Sequence, residues 1–489
     1  MSIDALQARL AEAPLLKLLP LLILGILLHR YFEFPIWIVL ALFVVGGIGA
    51  LLLQKTTWLI LSLTTAGYLA ADLQPQPTPL PTDEPLRLEL SILDDGARRT
   101  DRMRYEASIR RWSHSDAIAW QTGTGRLWLY SDTTIHLQGG DRLQLAGKIY
   151  PFRSDSESFP TLMQMRGYLG RCYLTPYNLE QHASDDRTTL HLRASRAMRN
   201  RLEAENDHTA LVRAMTVGDR NGISTSLRTA YSRSGTSHLL AVSGLHTGMV
   251  FLLVNLLTLW LPIIHRGHRL RNLLVIGAVW LFVATAGFPP SAVRAAMMCT
   301  VLQWALFTSS IYRAINGWAA AALLLLIIRP YWLFDIGFQL SFLAVWAILV
   351  WGVPLCRLLH TRYRLLNWVV DAFVISLIAT LATLPLVSHQ FGMIPLLGVL
   401  INPPAILLGT WIVLGGLLLL LLPPLAPLLR PVVLQLATWQ NGLIEWVASS
   451  EGSYLEYRCS EGTTWFVYAL FLLLTLLAWC RDRKKSVHL

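Results

Sequence analysis

The chain has 489 residues, 54% of them hydrophobic and only 15% charged, with a formal net charge of +11. Soluble domains carry about a quarter of their residues as charge, so an ordinary soluble enzyme or binding module is excluded. The positive excess does not by itself argue for nucleic acid: between Asp72 and His191 acidic residues slightly outnumber basic ones, and the surplus sits in 192–233, in His265–Arg271 and in Arg481–Lys485.

The apolar residues fall into blocks of roughly 20, the length that spans a hydrocarbon core. Residues 15–28, 36–53 and 57–71 read as three closely spaced spans. No small-residue cleavage site follows the first block, and His29-Arg30 does, so a cleaved signal peptide is not expected. Arg9 and Lys17 on the N-terminal side of the first span and Lys55 between the second and third place the N-terminus in the cytoplasm and the end of the third span outside. Residues 74–81, with proline at every second position from Pro75, are a stiff extended linker.

Residues 86–180 change character. Leu86–Leu93 alternates with period two, Asp94-Asp95-Gly96 turns the chain, and Tyr105–Trp112, Arg126–Ser131 and Arg142–Tyr150 continue the pattern. Short strands with glycine turns predict a small barrel or sandwich, here extracytoplasmic. Residues 191–234 are basic with helical apolar spacing at Leu211, Met215 and Val217, which predicts interfacial helices. Further spans are predicted near 238–263, 272–287, 292–310, 315–328, 337–352, 366–385, 404–422 and 463–480, with 432–448 as an additional candidate. The fold class is therefore a polytopic α-helical membrane protein with about twelve spans plus a small extracytoplasmic β domain. Its divisions are 1–73, 74–190, 191–234, 235–480 and a basic tail at 481–489, both termini being cytoplasmic. Cysteines stand at Cys172, Cys299, Cys356, Cys459 and Cys480 without a CxxC pair, so neither a metal site nor a disulfide framework is expected, and no cofactor is.

Polar groups inside apolar spans are costly and therefore informative. His238, Ser243, Gly244 and His246 form one cluster, with Ser243 and His246 on one helical face. Ser291 and Arg294 form a second, Ser291 placed to cap the helix that carries Arg294. Asp335 and Gln339, four apart, form a third, and Asn402-Pro403-Pro404 breaks the mouth of another span. All four fall toward the outer half of the membrane, as a single polar vestibule would require. Each is equally readable as a local cap or packing contact, and Arg294 with Asp335 as a structural ion pair.

These clusters resemble the ComEC family of bacterial competence proteins. The likeness runs from Leu211–Arg220 through Ser234–His246, Ser291–Ala295 and Asp335–Phe342 to Thr383-Leu384-Pro385 and His389–Gly392. The preceding segment, ending in Gly140-Asp141 and Met165–Leu169, is similar to the family's N-terminal region, which carries an OB-like fold. The resemblance implies an inner-membrane channel that brings single-stranded DNA into the cytoplasm during natural transformation. It implies as partners the DNA strand, membrane lipid, a periplasmic DNA-binding receptor, a separate nuclease, and a cytoplasmic motor or single-strand-binding protein. Many relatives carry a C-terminal metallo-β-lactamase-like domain; no HxHxDH string occurs here, so a nuclease is expected to be another protein.

A strand bearing one charge per nucleotide needs a wet path. Arg294 is then the phosphate contact, Ser243, His246 and Gln339 are lining donors, and His238, Gly244, Ser291, Asp335 and Asn402 complete the pathway. In the outer domain Arg104, Tyr105, Arg110, Trp112, Arg126 and Trp128 are candidate stacking and phosphate contacts, although the aromatic rings read as well as barrel core. No Walker A string is present to supply ATP hydrolysis. Two rival classes remain. An intramembrane hydrolase would use Ser243 and His246 but lacks an orienting partner for the His, and the protein is not expected to be an enzyme. A small-molecule transporter would show internal repeats, which the span pattern lacks.

Overall fold

The structure, a computed structural model, describes residues 14–486 except 54, 76, 82–83, 100–101, 115–118, 133–134, 153–162, 165, 185–188, 203–205, 264–266 and 308–313. Arg9, His265 and Arg266 of the charge pattern and Met165 of the resemblance lie outside the described residues, as do the side chains of Arg481–Lys485.

Helices α1 (Pro14–Tyr31), α2 (Ile36–Leu53) and α3 (Thr56–Asp72) open the chain. Gly25 of α1 abuts the Thr64 carbonyl and Gly67 of α3 abuts the Leu22 carbonyl, so closely that a Cβ on either would overlap that oxygen. Without a side chain the two backbones approach directly, the usual basis of helix association in lipid.

The β domain comprises β1 (Leu86–Ile92), β2 (Ala97–Arg99), β3 (Arg102–His114), β4 (Gln121–Thr122), β5 (Arg126–Asp132), β6 (Arg142–Gly147), β7 (Tyr168–Leu174) and β8 (Leu179–Ala183). Its path is β7-β5-β3-β1-β6-β8, with β2 and β4 paired to β3, and β5 with β7 is a parallel pair. Tyr150, just past β6, exchanges backbone hydrogen bonds with Arg171 of β7 at 2.8 Å, drawing the two sides of the sheet together. Leu86, Leu88, Leu90 and Ile92 fill the interior with Tyr105, Leu127, Leu129, Leu143 and Leu145, as the period-two pattern requires.

Within residues 191–234 the middle helix differs from the interfacial helices expected of the segment. The segment forms α4 (Leu190–Leu202), α5 (Asp207–Val217) and α6 (Thr225–Arg233), and α5 is buried from Thr209 through Val217. A helix apolar around its whole circumference is an interior helix, and Ala210-Leu211-Val212 with Ala214-Met215 makes this one so.

A 3₁₀ turn (Ser237–Leu240) precedes α7 (Gly244–Leu257), so the span expected over 238–263 is a 14-residue helix flanked by turns. Then come α8 (Gly267–Thr285), α9 (Pro290–Phe307), α10 (Ala314–Ile328), α11 (Ile336–Leu359, π-wound over Ile348–Gly352) and α12 (Arg364–Phe391). A short strand pair, β9 (Met393–Pro395) with β10 (Tyr454–Glu456), brackets α13 (Gly398–Leu421) and α14 (Ala426–Ser449), and α15 (Glu461–Ser486) ends the chain.

The break expected at Asn402-Pro403-Pro404 is absent, since α13 runs through both prolines. Pro403 has no N–H to offer the Val399 carbonyl four residues back. That oxygen instead accepts the Ser376 hydroxyl of α12 at 3.2 Å, which removes the reason to break.

Five helices, α1, α2, α11, α12 and α13, are long and apolar enough to cross a membrane, and α7 and α10 are shorter apolar helices. Trp37, Leu51, Leu252, Leu273, Leu358, Trp411 and Trp446 are each more than half exposed, a surface suited to lipid rather than water. The chain is a membrane protein carrying a small β domain.

Candidate functional site

Three of the four polar clusters meet at the N-terminal ends of α7, α9 and α11. Ser243 caps α7: its Oγ accepts the His246 N–H at 3.4 Å, and the Ser243 N–H donates to His246 Nδ1 at 3.2 Å. This reciprocal capping box uses both members of the supposed nucleophile–base pair against backbone. The Ser243 side chain therefore does not donate to the imidazole, and His246 Nε2 is buried with no partner.

Helix α9 begins at Pro290, so Ser291 lies inside its first turn and does not cap it, contrary to the sequence expectation. Its hydroxyl donates to the Val242 carbonyl at 2.7 Å, tying α9 to the segment before α7. Gly244 allows that approach: a Cβ there would stand 3.3 Å from the Ala295 Cβ.

Asp335 caps α11 through its Oδ1, which accepts the Phe338 N–H at 3.1 Å, and Gln339 Nε2 donates to the Leu333 carbonyl at 2.9 Å. Arg294 reaches this turn, its Nη2 3.4 Å from where a Gly337 Cβ would stand. Yet the two charges make no direct ion pair, and Asp335 acts on Arg294 only through space. Asp335 Oδ2 is taken by Arg166 of the β domain. Arg294 is 5% exposed, its Nε has no partner, and it makes no ion pair among the described residues. Such a group is costly to leave unmatched, and three helix N-termini add positive potential beside it.

His238 is exposed on its 3₁₀ turn but stands close enough to His246 for the two imidazoles to interact through space, at the edge of this junction. Asn402 of α13 has a buried Oδ1 without a partner, but no hydrogen bond connects it to the other clusters among the described residues.

Sequence reasoning missed a second polar set, carried by α7, α8 and α9. Asn255 Nδ2 donates to Gln303 Oε1 at 3.3 Å, Gln303 Nε2 donates to Asn272 Oδ1, and Arg271 Nη2 donates to Asn255 Oδ1 at 3.0 Å. Apart from the adjacent Arg271 and Asn272 these residues are far apart in sequence, so only the packing of α7, α8 and α9 reveals the network. The motif Leu211–Arg220 has a structural explanation. Gly218 ends α5 at φ +76°, and Asp219 then accepts from Ser195 at 3.0 Å and Arg199 at 3.1 Å, tying α4 to α5. Likewise His389 Nδ1 and Ser388 Oγ at the end of α12 bind the Cys459 and Tyr457 carbonyls at 2.9 and 2.6 Å.

In the β domain, Tyr105 and Trp112 are core residues, 1% and 8% exposed, and are corrected from the list of candidate contacts. On β3 they occupy inward positions, and Tyr105 Oη is held by the Leu137 N–H at 3.3 Å. The outward positions form a grid. Arg104, Tyr130 and Tyr173 lie side by side across β3, β5 and β7, and Glu106, Trp128 and Arg171 form the next row. Arg104 stacks over Trp128 at 4.7 Å and Arg102 over Tyr173 at 5.1 Å, while Tyr130 and Tyr173 stack at 5.6 Å. Arg171 and Tyr173 escape the sequence reading because β7 carries no clear strand pattern, and Arg102 on β3 and Tyr130 on β5 join the grid only once the strands are paired. Glu106 sits in the middle, accepting from Arg126 at 2.8 Å and Tyr168 at 2.7 Å, and offsets the cations around it. Arg110 is exposed farther along β3.

Residues 215–484 match the family model of competence proteins. The chain belongs to the competence-protein family. It is similar to ComE operon protein 3 of Bacillus subtilis (strain 168), 30% identical over 56% of this chain and 34% of that protein. It is also similar to competence protein ComA of Neisseria gonorrhoeae, 30% identical over 48% of this chain and 34% of that one. The chain thus matches about a third of the length of these relatives. No solved structure matches. The family match covers the α7–α9–α11 junction and leaves the β domain outside it.

Proposed function

We propose that this competence-family chain forms the inner-membrane conduit through which single-stranded DNA enters the cytoplasm during transformation. The observation that carries the reading is Arg294, a buried cation whose Nε has no hydrogen-bond partner and which makes no ion pair among the described residues, where three helix N-termini converge. A phosphate supplies the missing charge and hydrogen bonds, and one partial positive pole per helix assists it. The conduit has about twelve crossings, the β domain outside and both termini cytoplasmic; the helices found at every expected span support this count.

The β domain receives the strand first. Five strands of six or more residues, closed in part through Tyr150 and Arg171, support an OB-like barrel. Its Trp128–Tyr130–Tyr173 face suits base stacking, and Arg102, Arg104, Arg126 and Arg171 suit phosphate. Glu106 keeps that affinity low, and a conduit must release what it captures. A periplasmic receptor, a separate nuclease and a cytoplasmic motor or single-strand-binding protein complete the pathway. The hydrolase alternative is disfavoured by the capping box, which leaves Ser243 without a base.

The test is transformation scored separately for DNA in the periplasm and in the cytoplasm. Arg294→Ala is expected to block cytoplasmic entry while periplasmic DNA accumulates, and Arg294→Lys to retain part of the activity, since a point charge persists without the bidentate fork. Normal entry with Arg294→Ala, at normal protein level in the membrane, overturns the reading.

A further inference from the structure

The Asp335 carboxylate has two cations within reach and takes only one. Its Oδ1 is occupied by the Phe338 N–H, and its Oδ2 holds Arg166, which lies 169 residues upstream in the β domain. Arg166 is 44% exposed and Asp335 8%, so the pair sits at the rim of the junction with the acid facing inward. Arg294 stands on the other side of the same helical turn, against Gly337, with no direct ion pair among the described residues and only a through-space attraction to Asp335. Two guanidinium groups and one carboxylate leave one net positive charge at a buried point, and Arg294 carries it.

We propose that Arg166 is a positioning residue for the phosphate site: by holding Asp335 it keeps Arg294 free for a phosphate oxygen of the transported strand. A guanidinium already matched by a carboxylate offers an incoming anion little, because the anion must compete with a fixed charge of its own sign. Without Arg166, the Asp335 oxygen that it occupies turns to Arg294 and cancels the site. The consequence is a link between the two parts of the molecule. The β domain seated on the bundle opens the phosphate site, and the β domain lifted away closes it. The inference rests on the phosphate role given to Arg294 above.

Three variants, each quantified in membranes by immunoblot, are scored for DNA entry into the cytoplasm. Arg166→Ala is expected to lower entry at least about fivefold, the lower end of what coupling between sites delivers. Asp335→Asn retains the helix cap but cannot neutralise Arg294. The double variant Arg166→Ala with Asp335→Asn is therefore expected to recover entry relative to Arg166→Ala, and Asp335→Asn alone to exceed it. If Arg166 touches DNA itself, the double variant stays at the level of Arg166→Ala, and the proposal falls. If the ion pair matters only as a clamp between domains, Asp335→Asn falls as far as Arg166→Ala, and the proposal falls again. Arg294→Ala run alongside separates this inference from its foundation. Normal entry there removes the phosphate reading, whereas blocked entry with an unaffected Arg166→Ala removes the positioning role alone.

Discussion

At Gly337 the absence of a side chain lets one acid and one base share a helical turn. A Cβ there would lie 2.9 Å from Asp335 Oδ1 and 3.4 Å from Arg294 Nη2, so Gly337→Ala must displace the cap or the cation. The lost cap costs about 1 kcal/mol. DNA entry is expected to fall with only a small drop in thermal midpoint, and a variant indistinguishable from wild type in both would show the turn to be roomier than described. Asp219 presents the opposite case, an acid fully used within the fold. Asp219→Ala removes the partner of Ser195 and Arg199 beside the buried Arg213, and breaking such a site costs about 3–5 kcal/mol. Its signature is loss of folded protein from the membrane rather than a transport defect in protein that remains. Tyr105 and Trp128, one position apart in face, separate core from surface. Tyr105→Ala should destabilise the β domain by about 3–5 kcal/mol, as large-to-small core changes do. Trp128→Ala should leave its unfolding unchanged and weaken binding of an oligonucleotide; the reverse pattern would refute the outward grid.

At the scale of elements, the apolar periodicity of the sequence located nearly every helix, because a 20-residue block has few alternatives in a membrane protein. The period-two run Leu86–Ile92 located β1 for the same reason: its alternate leucines are the barrel interior. Legibility failed where tertiary partners decide. Pro403 reads as a breaker until Ser376 of another helix is seen to satisfy the freed carbonyl. Ser243 and His246 read as lining or catalytic until their mutual capping is seen, and Asp335 reads as the partner of Arg294 because Arg166 is far away in sequence. The turn after β1 makes a pH prediction. Burial raises the Asp94 carboxyl to about 6, with Glu106 adding repulsion, against the lowering effect of N–H groups from Glu106 and Gly96. The folded state then holds a proton that the unfolded state has released, so this group favours folding at acid pH and loses that contribution as pH rises through about 6. Asp94→Asn is expected to increase the exchange protection of β1 and β3 amides at pH 7.5 and to bring no gain at pH 4.5, after correction for intrinsic rates. Equal effects at both pH values would place the carboxyl in its ordinary range.

For the whole molecule, orientation is the first thing to test. Tyr177 on the β domain is fully exposed, and His268 opens α8 on the opposite side of the proposed topology. With native cysteines replaced, a membrane-impermeant maleimide on intact cells should label Tyr177→Cys and spare His268→Cys; the inverse result would turn the molecule over. The buried position of α5 has a further consequence, and it concerns time. Its cover comes from α13 and α14, which the ribosome delivers roughly two hundred residues after α5 itself, on the order of ten to forty seconds at bacterial synthesis speeds. The α1–α3 bundle needs no such delay, because Gly25 and Gly67 meet within the first segment made. During the wait, α5 has only the partial cover of α4 and other elements made early, and a nascent chain stalled before residue 398 is expected to be a substrate for membrane quality control. Ribosome-release of chains ending at 397 and at 450 should therefore differ sharply in half-life, and equal half-lives would mean that α5 finds temporary shelter in helices made earlier.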